Sequence, residues 1–271
     1  MTPSHAFSGL RQLSERVGRA TVDGVSELGY AAALFFESVY WLLFGKTREQ
    51  PIKLPAVFAQ MMQIGVQAVP IVTVLSFTIG VMLAIQGVYT LKAFGAETQV
   101  VLGIALSVTR EFAPLIIGIL VAGRSGSALA ARIGTMVVSQ EIDAIRVIGV
   151  SPVRYLVVPA LLSMVVMLPI LTFYSDALGL FGGAFYCYVE LNMSFQAYLD
   201  QSINILEVND IMQGLYKSLV FAVIISLVGF VNGFLVRGGA EGVGKATTRS
   251  VVQSISLIII ADMIFTYFLN R

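Results

Sequence analysis

A chain of 271 residues with 57% hydrophobic and 12% charged side chains and a mean hydropathy of +0.85 carries about half the charge of a soluble domain. It reads as an integral membrane protein. A formal net charge of +1 offers no basic field for nucleic acid, and a lone Cys187 with a lone His5 leaves neither an internal disulfide nor a Cys/His metal site.

In chain order, residues 8–28 place Leu10, Leu13, Val17, Val25 and Leu28 at helical spacing among Arg11, Arg16 and Arg19, the pattern of an amphipathic helix in the membrane interface. No compact apolar core with a small-residue cleavage site precedes it, so an unprocessed chain is expected. Residues 29–44 are apolar and aromatic but short and interrupted by Glu37, which fits an interfacial or half-inserted segment better than a full span. A polar break with Lys46, Arg48, Pro51, Lys53 and Pro55 follows. Five spans are expected, over residues 70–91, 98–122, 155–189, 211–236 and 251–269, with an approach helix carrying Gln60, Gln63 and Gln67 before the first. The third run exceeds the roughly 20 residues an upright span needs, and Pro159, Pro169 and Asp176 imply a kink, a tilt or an extension beyond the bilayer. The expected fold class is therefore an all-α integral membrane protein of about five transmembrane helices preceded by an amphipathic interfacial helix.

Between the second and third spans lies GRSGSALAARIGTMVVSQEIDAIRVIGVSP (123–152), with Arg124, Arg132, Glu141, Asp143 and Arg146. Each such charge costs roughly 2.5–3.5 kcal/mol at a bilayer centre, so the segment lies outside. Its first part repeats small residues four apart at Ala122, Gly126, Ala130 and Gly134, a smooth stripe on which another helix can approach closely. From 139 to 148, helical spacing groups Ile142, Ile145 and Ile148 on one side and leaves Glu141 and Arg146 off it, a short amphipathic helix closed by Gly149 and Pro152. Lysine and arginine collect in the N-terminal region, in 124–154 and in 237–249, while 190–212 is acidic; the positive-inside rule makes the three basic regions and the N-terminus cytoplasmic and the C-terminus external.

Arg110 and Glu111 stand about a dozen residues into the second span, where ionisable groups find partners or line a wet cavity. They are either ties among helices or the wall of a substrate cavity. Pro114, one turn on, frees a carbonyl near Arg110. Asp176 and Asp262 raise the same question; a structural tie to arginine or backbone is preferred for Asp262, and Lys217, near the start of its span, could instead snorkel outward. Gly239, Gly244 and Lys245 mimic a phosphate-binding loop, but Ala246 replaces the hydroxyl that reaches magnesium and no strand precedes it, so the stretch reads as a flexible basic loop. No nucleophile and base pair is visible, so no catalytic and no metal residue is assigned. An ATP-driven machine would need a separate subunit.

Three stretches, TREFAPLIIGILVAGRSGSALAARIGTM (109–136), SQEIDAIRVIGVSPVRYLVVPALL (139–162) and GKATTRSVVQS (244–254), together resemble the MlaE/YrbE family, permease subunits of bacterial ABC transporters that work with MCE-domain lipid carriers. The family's E-x-D-A-L pattern is met by Glu141, Asp143 and Ala144, with Ile145 in place of leucine. The resemblance implies an N-terminal region at 1–55 and a permease domain at 56–271, with a cytoplasmic coupling segment at 139–152. Glu141, Ile142, Asp143, Ala144, Ile145 and Ile148 would dock on an ATPase subunit that binds the ATP and Mg, since no cofactor is expected in this chain. It further implies a pair of permeases, most simply a homodimer, in the bacterial inner membrane. Phospholipid or another hydrophobic lipid would pass to or from a periplasmic MCE-domain protein, with Arg110 and Glu111 near the lipid cavity. The competing expectation from the residues alone is a proton-coupled secondary transporter using Glu111, Asp176 or Asp262.

Overall fold

A computed structural model describes residues 4–44, 54–96 and 99–269, and among them every regular element is a helix. The polar break at 45–53, with Lys46, Arg48, Pro51 and Lys53, lies outside the described residues. So do the side chains of Leu10, Leu13, Val17 and the arginines near them. Helix α1 (Ser4–Phe44) is followed by five stretches long and apolar enough to cross a membrane. The first comprises α2 (Leu54–Ile64), a 3-10 turn and α3 (Val69–Lys92). The second comprises α4 (Val100–Ser107), α5 (Ala113–Val121) and α6 (Ser127–Val138). After the short α7 (Glu141–Val147), the third is α8 (Val158–Leu191); then come α9 (Phe195–Ile205), α10 (Val208–Phe234) and α11 (Gly239–Leu269), the fourth and fifth spans being α10 and α11.

Three π-helical turns, at Val108–Phe112, Ala122–Gly126 and Val153–Val157, interrupt the second span or lead into the third. Two have a local cause. Pro114 and Pro159 each follow a π turn by two residues and bring no N–H to the carbonyl four residues back, so the chain bonds five residues back instead, as from Ala113 to Val108 and from Val158 to Val153. The carbonyl that Pro114 frees near Arg110 is thus accommodated within one wide turn.

The spans are longer than expected. The second runs helically from Val100 to Val138, 39 residues, or roughly 58 Å at the α-helical rise. A hydrocarbon core of about 30 Å cannot contain it, so the polar 123–138 stretch is a helical extension of the span beyond the core. The stripe of small residues is buried as its spacing predicts: Ala122, Gly126, Ala130 and Gly134 are all inside. Ile225 of α10 lies 3.0 Å from where a Gly126 Cβ would stand, and Val236 lies 2.7 Å from that of Gly134. The expected flexible loop at 237–250 is corrected. α11 already begins at Gly239, with a Glu241–Lys245 ion pair one turn apart, and the phosphate-loop lookalike lies within it. There backbone N–H groups beyond the first turn are spent on the helix itself.

One large core joins α2, α3, α5, α6, α8 and α10, and a second smaller one gathers Val88, Val101, Ile104, Cys187 and Tyr198 near α9. α3 and α8 meet where no side chain fits: a Cβ on Gly80 would stand 1.9 Å from the Gly179 carbonyl oxygen. α1 lies across the opposite end. Its Leu34 is buried, Tyr30 meets Phe234 edge-on at 6.5 Å, Glu37 accepts from Ser151 at 3.1 Å, Arg154 covers Trp41 at 5.8 Å, and Glu27 pairs with Arg249 at 2.5 Å. Residues 29–44 are the continuous end of this helix. Burial pushes the Tyr30 phenol above its ordinary value, Arg146 pulling it back and Glu37 adding to the rise.

Candidate functional site

The adjacent Arg110 and Glu111, carried on the first π turn, find separate partners on α10. Arg110 donates through Nε and Nη2 to Asp210 Oδ1 at 2.9 and 2.5 Å. The other oxygen of Asp210 accepts from the Glu207 N–H at 2.9 Å, so one carboxylate closes the capping box of α10 and receives the arginine. Glu111 Oε2 accepts from Lys217 Nζ at 2.5 Å. Lys217 also donates to Thr266 at 2.9 Å and lies 3.0 Å from Asp262 Oδ1, an ion pair off the line of a hydrogen bond. Thr266 closes the ring by donating to Glu111 at 3.1 Å. Two cations and three carboxylates from the second, fourth and fifth spans thus form one ionic cluster.

The local sequence makes the meeting possible. Asp210, Gly214 and Lys217 recur at helical spacing on one face of α10, and a Cβ on Gly214 would stand 2.3 Å from the Thr109 carbonyl oxygen. A glycine is therefore required where α10 crosses the π turn, and the residues either side of it reach Arg110 and Glu111. Lys217 is 1% exposed and points inward, which corrects the expectation that it snorkels out: a partly buried carboxylate on each side holds the ammonium more favourably than the distant interface does. Asp262 is a tie, as expected, but to a lysine. Arg110 and Glu111 each keep 33% of their side-chain surface accessible, so the cluster is a structural joint with two polar groups still open to a ligand. Its partners stand in the first three turns of α10 and the last two turns of α11, toward the end of the bundle that carries α9. Asp210 and Thr266 were missed from the sequence, although the seven-residue spacing of Asp210 and Lys217 around a glycine was the available signal. Asp176, 5% exposed, stays apart: neither carboxyl oxygen has a hydrogen-bond partner among the described residues.

At the opposite end, α7 is set between two left-handed residues, Gln140 (φ 61°) and Gly149 (φ 83°), which turn the chain sharply into and out of it. Of the residues expected to dock, Ile142 is buried in the chain's own core and Ile145 packs against it. Glu141, Asp143, Ala144 and Ile148 are exposed. Glu141 accepts from Ser139 at 2.8 Å, and Asp143 pairs with Arg146 at 3.3 Å. Val147, not singled out in the sequence, is 88% exposed beside Ile148 at 77%. The expected apolar face is therefore split: Ile142 and Ile145 anchor the helix, and Val147 with Ile148 form an apolar tip. A cleft of about 760 Å³ opens beside it, lined by Arg132, Met136, Glu141, Ala144, Ile148 and Tyr155 among others.

A bundle of five long apolar helices, with a short helix projecting between the second and third, defines a multi-pass membrane protein. Comparison with known proteins agrees. The chain belongs to the family described as Permease MlaE, whose model matches residues 57–268. It is 33% identical to a probable ABC transporter permease of Rickettsia typhi over 97% of this chain and 99% of that protein. It is 31% identical to the intermembrane phospholipid transport system permease protein MlaE of Haemophilus influenzae over 92% and 94% of the two chains. It is also 34% identical to the chloroplastic TRIGALACTOSYLDIACYLGLYCEROL 1 protein of Arabidopsis thaliana over 77% of this chain and 60% of that protein. The chain is a permease subunit of an ABC transporter.

Proposed function

We propose that this permease moves phospholipid or a related lipid between the bacterial inner membrane and a periplasmic MCE-domain carrier, driven by ATP hydrolysis in a separate subunit on which α7 docks. The observation that carries the docking assignment is the construction of α7. Ile142 fixes it to the bundle while Glu141, Asp143, Val147 and Ile148 project outward. A rigidly held helix with a charged flank and an apolar tip is what transmits a partner's rigid-body motion. The phospholipid assignment is supported by the similarity to the Haemophilus phospholipid transport permease and by Arg110, whose accessible third suits an anionic head group. In this reading α7, the start of α1 and the α10–α11 turn face the cytoplasm, the C-terminus faces the periplasm, and two copies of the chain enclose the lipid path between them. A proton-relay mechanism finds less support, because Glu111 and Asp262 are both held by Lys217 and Asp176 stands apart from them with no hydrogen-bond partner among the described residues to pass a proton on.

The test is charge reversal of Glu141 and Asp143 to lysine in the assembled complex. Co-purification of the ATPase subunit and lipid transport are expected to fall together while membrane insertion is unchanged. Intact assembly in the double variant sinks the docking assignment.

A further inference from the structure

A second polar site lies at the α7 end of the bundle, away from the ionic cluster. Gln60 and Gln63 of α2, Gln67 of the 3-10 turn, Arg124 and Ser125 of the second π turn and Arg132 of α6 line a cleft of about 90 Å³. Arg124 donates through Nη2 to Gln67 Oε1 at 3.2 Å, yet its Nη1 is buried without a hydrogen-bond partner, and so is Gln60 Oε1 in the same cleft. Among the described residues no acidic side chain lines the cleft, and neither Arg124 nor Arg132 makes an ion pair. An arginine donor and an amide acceptor withdrawn from water and left open are a costly arrangement unless something supplies the complement of each.

Depth and size narrow what that is. Arg124 stands 24 residues beyond Val100, roughly 36 Å along the helix, against a hydrocarbon core of about 30 Å. That is head-group level. Arg132 follows two turns later on the same side of the helix. The cleft has room for about three water molecules, enough for a phosphate group and too little for an acyl chain. A phosphodiester accepts from Arg124 and Arg132, and the hydroxyl or ammonium of the same head group donates to Gln60.

We infer that this cleft binds the head group of a glycerophospholipid in the leaflet at the α7 end, held by Arg124 and Arg132 with Gln60, Gln63 and Gln67. Calling that leaflet cytoplasmic rests on the orientation proposed above; the binding itself does not, and its test reads lipid retention rather than transport or ATPase docking.

The full-length chain is released from nanodiscs of phosphatidylethanolamine and phosphatidylglycerol and weighed intact. The unaltered protein is expected to retain a phospholipid that the Arg124→Gln, Arg132→Gln double variant holds about a hundredfold less tightly, the loss of two charge-assisted hydrogen bonds at about tenfold each. Arg124→Lys, which keeps the charge without the forked donors, is expected to fall between them, and Lys92→Gln, an exposed cation paired with Glu190 at the other end, is expected to retain this lipid. Equal retention by the double variant overturns the inference. So does displacement of the lipid requirement by inorganic phosphate alone, which marks a free-anion site. Since loss of Arg124 can impair folding, a photo-crosslinking residue at the exposed Ala128, with both arginines in place, provides an independent reading. Crosslinks to phospholipid are expected; crosslinks only to a second copy of the chain overturn the assignment.

Discussion

Replacing Lys217 with methionine separates a structural joint from a working site. The ammonium is 1% exposed and is the cation shared by Glu111 and Asp262, which are 33% and 15% exposed. Removing one member of a buried ion pair costs about 3–5 kcal/mol because the remaining charge is stranded. The partial exposure of Glu111 places the expected loss near the lower end, about 3 kcal/mol, against a total stability of about 5–15 kcal/mol. For a chain of this size that is a fall in Tm of roughly 6–12 °C, read by heating the purified protein and following the soluble, monodisperse fraction. The triple variant Lys217→Met, Glu111→Gln, Asp262→Asn removes the stranded charges together, and neutral replacement of a whole buried ionic group is often without cost. It is expected to recover most of the loss, with the glutamine still able to bond Thr266. A triple variant as unstable as the single one refutes the electrostatic account. If the triple variant is stable and transports lipid normally, the cluster is a joint only; if it is stable and inactive, the charges of the cluster act on the substrate.

Three further substitutions test the packing and the turns. Gly80→Ala forces a Cβ to within 1.9 Å of the Gly179 carbonyl oxygen and is expected to destabilise the α3–α8 contact by about 3 kcal/mol, the upper range for overpacking, with a matching fall in Tm. Gly103→Ala on α4 meets nothing within 4 Å and is expected to raise stability by about 0.5–1 kcal/mol through helix propensity alone; a loss there would place another chain against α4. Gly149→Ala meets no atom either, but its φ of +83° costs an alanine about 1–2 kcal/mol. Amide exchange at residues 144–148 is expected to quicken and ATPase association to weaken, whereas unchanged exchange would show that the left-handed turn does not hold the end of α7.

The apolar runs and the small-residue stripe were legible because both depend on the chain's own period: long runs must span, and residues four apart share a face. Arg110 and Glu111 were legible as charges out of place. Their partners were not, since pairing depends on how α10 and α11 are placed beside the second span, and Lys217 read alone fits the rule that lysines near a span end reach outward. The continuation of the second span through 123–138 was hidden by its charges, which exclude it from hydrocarbon without excluding it from a helix. The split of Ile142 from Ile148 was equally hidden, because α7 is seven residues long and ends at a glycine turn, so its last apolar residue leaves the face that the spacing assigned to it. The cleft at Arg124 needed the structure altogether: its glutamines and arginines lie some sixty residues apart in sequence.

The proposed docking helix and the ionic cluster lie at opposite ends of the molecule, and α10 is the element that touches the path between them. Its Gly229 and Gly233 pack on α6 just before α7, and its Asp210 and Lys217 hold Arg110 and Glu111. A shift of α6 delivered through α7 would be passed to α10, since Gly229 and Gly233 bring its backbone directly against Gly126, Leu129, Ala130 and Ile133. Gly233→Ala tests this. The added Cβ would stand 2.7 Å from that of Ile133 and 3.2 Å from the Ala130 carbonyl oxygen, so α10 must back away from α6 by a few tenths of an ångström, at an expected cost of about 1–3 kcal/mol. Because α7 itself is untouched, ATPase association should persist while lipid moved per ATP hydrolysed falls. That outcome differs from charge reversal at Glu141 and Asp143, where association is lost first. Full transport in a Gly233→Ala protein of reduced stability would show that the two ends are coupled by another route.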